Sequence, residues 1–166
     1  MNTTLNFDPS PVMSIGKDIK QQSQFRNEHH KAIVNLLFTN SWLSEGIKNF
    51  LSSEDITPQQ YNILRILRGS GKPISTLQIR ERMLDKMSDT SRIVDRLLKK
   101  GLVEKKVSEA DKRLVDVIIS AKGRELLQRL DNKNASLDGI MFNLTHDEAK
   151  QLNDLLDKLR DSDANE

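Results

Sequence analysis

Apolar residues recur at helical spacing over most of this chain. From about Lys17 to Leu51, Phe25, Ala32, Ile33, Leu36, Leu37, Leu43, Ile47 and Phe50 predict one long helix. Gly46 is tolerated inside it at some cost. A helix this long exceeds what one small core can cover, so part of its face is expected to pack on a second subunit. Ser52-Ser53-Glu54-Asp55 breaks the pattern. Thr57-Pro58-Gln59-Gln60 then starts a new helix, with Thr57 as cap, Pro58 at the first position and Gln60 closing a capping box. Its buried face is Tyr61, Ile63, Leu64 and Leu67, and Gly69 to Pro73 ends it. Ser75 with Gln78 opens the next helix, with Leu77, Ile79, Met83 and Leu84 predicted to point inward.

After Asp85-Lys86-Met87 a further helix begins near Ser88, on a stripe of Ile93, Val94, Leu97 and Leu98. Gly101 caps it behind Lys99 and Lys100. Leu102 to Val107 and Arg113 to Ile119 carry β-branched residues and read as strands. Ser120 caps a helix expected to run to about Asn143, and Thr145 to Glu148 is another capping box before the last helix. Residues 1–16, with Pro9 and Pro11, read as an arm without secondary structure. The fold class is mainly α with a small β-wing. The expected parts are an arm (1–16), a long first helix (17–56), a lobe of helices and two strands (57–120) and C-terminal helices (121–166).

The 166 residues are enough to bury a core of one domain plus a dimerising appendage. There is no cysteine, which removes disulfides, thiolate metal sites and thiol redox sensing. No signal-peptide pattern and no membrane-length apolar run is present, and the expected location is the cytoplasm. The net charge of +2 says little, but its distribution says more. From Arg80 to Arg113 eleven basic residues face seven acidic ones; from Asp131 to Glu166 four basic residues face nine acidic ones. A basic middle beside an acidic tail gives a polyanion one place to dock.

The helix from Ser88 carries small polar and basic side chains, and a charged tip, Ser108 to Arg113, follows between two strands. That combination suits a duplex, with the helix in a major groove and the hairpin in the neighbouring minor groove. The run from Ser88 to Val103 resembles the recognition helix and first strand of MarR-type (multiple antibiotic resistance) regulators. Asp111-Lys112-Arg113 is similar to that family's Asp-x-Arg wing signature, Ser120 to Gly123 to its Thr-x-x-Gly helix start, and Thr57-Pro58 with Tyr61 and Leu64 to its second helix. The ordered set covers about Lys17 to Arg160. It departs from the family at Arg80, where a small alanine is common.

The resemblance implies a homodimer of interlocked first and last helices, each subunit projecting a winged lobe. It further implies a sequence-specific regulator, more often a repressor, on a pseudo-palindromic operator, with a small-molecule effector as a further partner. Expected DNA contacts are Ser88, Thr90, Ser91, Arg92, Arg96, Lys99, Lys112 and Arg113, with Asp111 holding the wing's shape. Ser88 is also a candidate plain N-cap, and Asp89 is expected to favour the helix N-terminus electrostatically. Asp95 and Arg96 either pair with neighbours on the helix or, for Arg96, meet phosphate. Leu36, Trp42 and Tyr61 are effector-pocket candidates by analogy alone, with core packing as the competing role. His29 and His30 are adjacent, a poor spacing for joint chelation, so neither metal nor cofactor is expected. Catalytic motifs are missing. The alternative reading is a winged-helix protein-interaction module that does not read DNA.

Overall fold

The computed structural model describes residues 14–107 and 115–161. By contacts the chain divides after Glu45 into two units. In the first unit, α1 is a single turn, Ile15–Asp18, and α2 runs Glu28–Leu51, contributing residues to both units. The one long helix expected from Lys17 is therefore interrupted between α1 and α2. Lys20 takes a left-handed φ of 52° there, and Asn27 Oδ1 accepts from the His30 N–H at 2.8 Å, the geometry that starts a helix. The Phe25 ring meets the His30 ring edge-on, with centroids 5.7 Å apart. Ile33, Leu36, Leu37, Phe38 and Trp42 are all exposed on α2. Core packing within the chain is thus not the role of Leu36 or Trp42.

The second unit is built on α3 (Pro58–Ser70), α4 (Thr76–Arg82), α5 (Thr90–Lys99), α6 (Ala121–Asp131), α7 (Asn134–Asp138) and α8 (His146–Arg160). A three-stranded antiparallel sheet joins them: β1 (Ile74–Ser75), β2 (Val103–Val107) and β3 (Val115–Ile119), with β3 in the middle. Val103 faces Ile119 and Val107 faces Val115 across the hairpin, and Ile74 faces Val117. Alternation puts Val117 and Ile119 inward with Val103, while the rest of β2 is exposed. The capping boxes at Thr57/Gln60, Ser75/Gln78 and Thr145/Glu148 form as expected.

The core gathers Leu51, Ile63, Leu64, Leu67, Ile74, Ile79, Met83, Val94, Leu97, Val117, Ile119, Leu127 and Leu130, with Tyr61 packed against its edge. Leu77 and Leu84 are exposed, not buried as the helical spacing predicts, because α4 is too short to bury more than Ile79 and the Met83 that follows. The helix expected from Ser120 to Asn143 is instead α6, α7 and a 3-10 turn at Gly139–Met141. Gly46 has a packing reason: a Cβ there would lie 3.2 Å from Ile140 Cδ1.

At the junction of α5, β2 and α6 the backbones approach closely. The Ser120 hydroxyl donates to Gly101 O at 2.7 Å and accepts from the Gly123 N–H at 3.0 Å. The Ser120 N–H donates to Leu102 O at 3.1 Å. A Cβ on Gly123 would sit 2.2 Å from that same carbonyl oxygen and 2.8 Å from Ile119 Cγ1. Two ion pairs hold α6 to the elements before it. Arg68 meets Asp131 at 2.5 and 3.2 Å, and Arg129 meets the nearly buried Glu54 at 2.7 Å. Arg68 beside Asp131 holds that carboxyl below the usual carboxylate range, and Arg129 does the same for Glu54.

Two outcomes follow for stability. Gly123→Ala is expected to lower it by about 2 kcal/mol or more, since backbone must move to admit the methyl. Gly69→Ala, an exposed helical site with nothing within 4 Å of a new Cβ, is expected to raise it by about 0.5–1 kcal/mol. Urea midpoints at constant m-value compare the two. For Asp131 the folded-state pKa is depressed, so its contribution is full above the ordinary aspartate value of about 4 and is lost as pH falls through the lower folded value. Asp131→Asn should therefore melt below the wild type at pH 7, with the gap narrowing as the pH falls through the lowered folded-state value.

Candidate nucleic-acid interface

α4, the turn after it and α5 form a helix-turn-helix, and every residue of that turn is held. The Asp85 carboxylate accepts from the Met87 N–H at 3.0 Å and the Ser88 hydroxyl at 2.6 Å. These donors, Ser88 first, hold the carboxyl below its usual range. The Leu84 N–H donates to Asn62 Oδ1 at 2.9 Å, and Lys86 Nζ donates to Glu81 O at 2.6 Å. Ser88 is therefore part of the turn and is not the N-cap. The cap is Asp89, whose Oδ1 accepts from the Arg92 N–H at 3.2 Å. Asp89 also pairs with Arg92 Nε at 3.3 Å. A carboxylate is favoured at this position by the helix dipole and by the unpaired N–H groups of the first turn.

α5 buries Thr90, Val94 and Leu97 on one side. Ser91, Arg92, Asp95, Arg96 and Lys99 are exposed on the other. Thr90 is only 4% exposed, so the structure does not bring it to the face shared by Ser91 and Arg92. The spacing explains this: positions 90, 94 and 97 form the inward stripe, and a threonine in that stripe packs. Asp95 pairs with Lys105 of β2 at 3.4 Å and not with a neighbour on its own helix. Among the described residues Arg96 and Lys99 make no ion pair. With Lys100 they line a groove of about 760 Å³ that Thr57 and Pro58 also line. Lys100 Nζ meets Asp55 Oδ2 at 3.0 Å and also contacts the Asp55 carbonyl oxygen, which ties the end of α5 to the turn before α3. Asp55 adopts a left-handed φ of 50° in that turn, a conformation aspartate tolerates better than most residues.

A second, smaller hollow of about 400 Å³ lies at the N-terminal end of α5. Thr76, Leu77, Arg80, Ser88, Asp89, Thr90 and Ser91 line it. Sequence reasoning missed Leu77 and Arg80 here. Arg80 is the position that departs from the resembled family, and that departure marked it. Asp111, Lys112 and Arg113 lie outside the described residues; β2 and β3 end at Val107 and Val115 on either side of them. Tyr61 is half-buried, its hydroxyl accepting from Arg65 at 2.9 Å with the guanidinium 5.7 Å from the ring centroid. His30 Nδ1 accepts from the Arg26 N–H at 3.4 Å. Among the described residues no three His, Asp or Glu side chains gather closely enough to hold a metal, and no helix is long and apolar enough to cross a membrane.

Residues 54–114 match a model of the MarR family. The multiple antibiotic resistance protein MarR of Salmonella typhimurium is 30% identical over 115 residues, covering 68% of this chain and 79% of that protein. Among solved structures, a mutant MarR from E. coli complexed with operator DNA superposes with a TM-score of 0.74 at 26% identity, covering 84% of this chain and 100% of that one. An organohalide-sensing transcriptional regulator in its 2,4-dichlorophenol-bound form shares the fold, with a TM-score of 0.74 at 21% identity over 96% of this chain and 88% of that one. Joined to the helix-turn-helix and three-stranded sheet above, these relationships place the chain in the MarR family of winged-helix transcription regulators.

Proposed function

We propose that this chain is a homodimeric, sequence-specific DNA-binding repressor that occupies a pseudo-palindromic operator. The observation that carries this reading is the outward face of α5. Ser91, Arg92, Arg96 and Lys99 lie exposed along it, and a fixed turn presents its N-terminal end. Hydroxyls there can bond base edges or phosphates, and arginine can bind guanine bidentately. Ser88, beside that end, is a backbone contact in this reading. Thr90 supports the helix from inside. Lys112 and Arg113 supply the wing's reach into the minor groove, with Asp111 shaping the loop. A protein-interaction module would call for an apolar or neutral face here, and this one is charged.

Each unit, taken by itself, leaves apolar side chains for a second copy to cover. Ile33, Leu37, Phe38 and Trp42 do so in α2, and Leu155 and Leu159 in α8. Two-fold symmetry then sets half-sites about one helical turn apart. Release by a small-molecule effector is part of the same proposal. Such a molecule acts only through a difference in its affinity for the DNA-competent and incompetent dimers. Leu36, Trp42 and Tyr61 are the residues offered for it.

The test is a titration of duplexes selected from random DNA. Arg92→Ala and Arg113→Ala are each expected to weaken binding about tenfold or more. Loss of a phosphate contact from each subunit flattens the salt dependence by about one unit of slope per contact. Variants that bind as tightly as the wild type, or a protein that scatters light as a monomer, would overturn the reading.

A further inference from the structure

Met87 is 93% exposed and Leu84 87% exposed, both on the turn between α4 and α5. Single exposed apolar side chains are ordinary on a protein surface. This one differs in how its backbone is held. Asp85 accepts from the Met87 N–H, from the Ser88 hydroxyl and, through its carbonyl, from the Ser88 N–H at 3.3 Å. The turn thus fixes Met87 two residues before Asp89, the cap of α5, and directs its thioether into solvent. Leu77, 63% exposed, lines the hollow at that end; the other exposed side chains there, Ser88, Asp89, Ser91 and Arg92, are polar. The polar ones can address hydrogen-bonding edges and phosphates but offer nothing to a methyl group. The major groove presents one apolar feature, the 5-methyl of thymine, and apolar side chains recognise it. Methionine is unbranched and polarisable, so it adapts to such a contact.

We propose that Met87 reads the 5-methyl group of one thymine in each operator half-site and so sets a base preference there. This rests on the DNA-binding reading above. Duplex DNA is the occupant argued for because the turn leads directly into the helix whose exposed face carries Arg92, Arg96 and Lys99.

The experiment uses the full-length protein and a duplex selected from random sequence. Each thymine is replaced in turn by deoxyuridine, which lacks only the 5-methyl group, and affinity is read by fluorescence anisotropy. The wild type is expected to lose about three- to sixfold at one thymine per half-site, the scale of one buried methyl. Met87→Ala removes the contact from both subunits, so on unmodified DNA it should lose about the square of that factor, with no further loss on the deoxyuridine duplex. Its melting temperature should match the wild type, since the side chain packs on nothing. Leu84→Ala and Leu77→Ala serve as controls and should keep the wild type's response to deoxyuridine. Indifference of the wild type to every substitution overturns the proposal. So does a deoxyuridine effect that survives in Met87→Ala, or one that vanishes in either control. Failure to bind any duplex overturns the DNA-binding reading as well, which separates the two.

Discussion

A carbonyl oxygen and a missing methyl group hold the second unit together. Leu102 O accepts from the Ser120 N–H, and α6 passes so close above it that only a hydrogen fits on the Gly123 α-carbon. The same serine bonds back to Gly101, the left-handed residue (φ 70°) that ends α5. Three elements therefore meet through one serine and one backbone carbonyl: the end of α5, the start of β2 and α6. Arg68–Asp131 and Arg129–Glu54 hold α6 at points further along.

How much of this was legible beforehand depended on whether the signal was local. Caps were readable because a hydroxyl or carboxylate three residues before a donor meets it by helix geometry alone, as at Thr57, Ser75, Ser120 and Thr145. The recognition helix was readable as a stripe, yet its first residue was not. Ser88 and Asp89 are both good caps, and only the competing bond from Ser88 to Asp85 decides between them. Helix breaks were harder. Residues 19–27 and the end of α6 carry no proline or glycine punctuation; the first stretch has only Ile19 and Phe25 as apolar positions, and across the second Leu130, Leu137 and Ile140 keep helical spacing. β1 was invisible because two residues after Pro73, the second of them the capping Ser75, have no period. Gly46 and Gly123 looked like tolerated or motif glycines, and their reason is tertiary, in Ile140 and Leu102.

The site divides along the same line. Exposure of Ser91, Arg92, Arg96 and Lys99 follows from the helical stripe, as does the burial of Thr90 once the stripe is drawn through it. The Asp95–Lys105 pair joins a helix to a strand ten residues later, and nothing in the helix spacing announces it. Leu77 and Leu84 were misjudged because an apolar residue in a short helix was assigned to the core, when α4 has room to bury only Ile79.

The turn between α4 and α5 is closed by hydrogen bonds from within the chain, at Leu84, Met87 and Ser88. Little conformational freedom remains there to be lost on docking, which favours fast and unhindered engagement. The other side of that rigidity is intolerance. A surface that cannot reshape itself cannot adapt to an ill-fitting sequence, so in the proposed complex a mismatch under this turn would be felt in full as weaker binding, and discrimination would come from stiffness as much as from contacts.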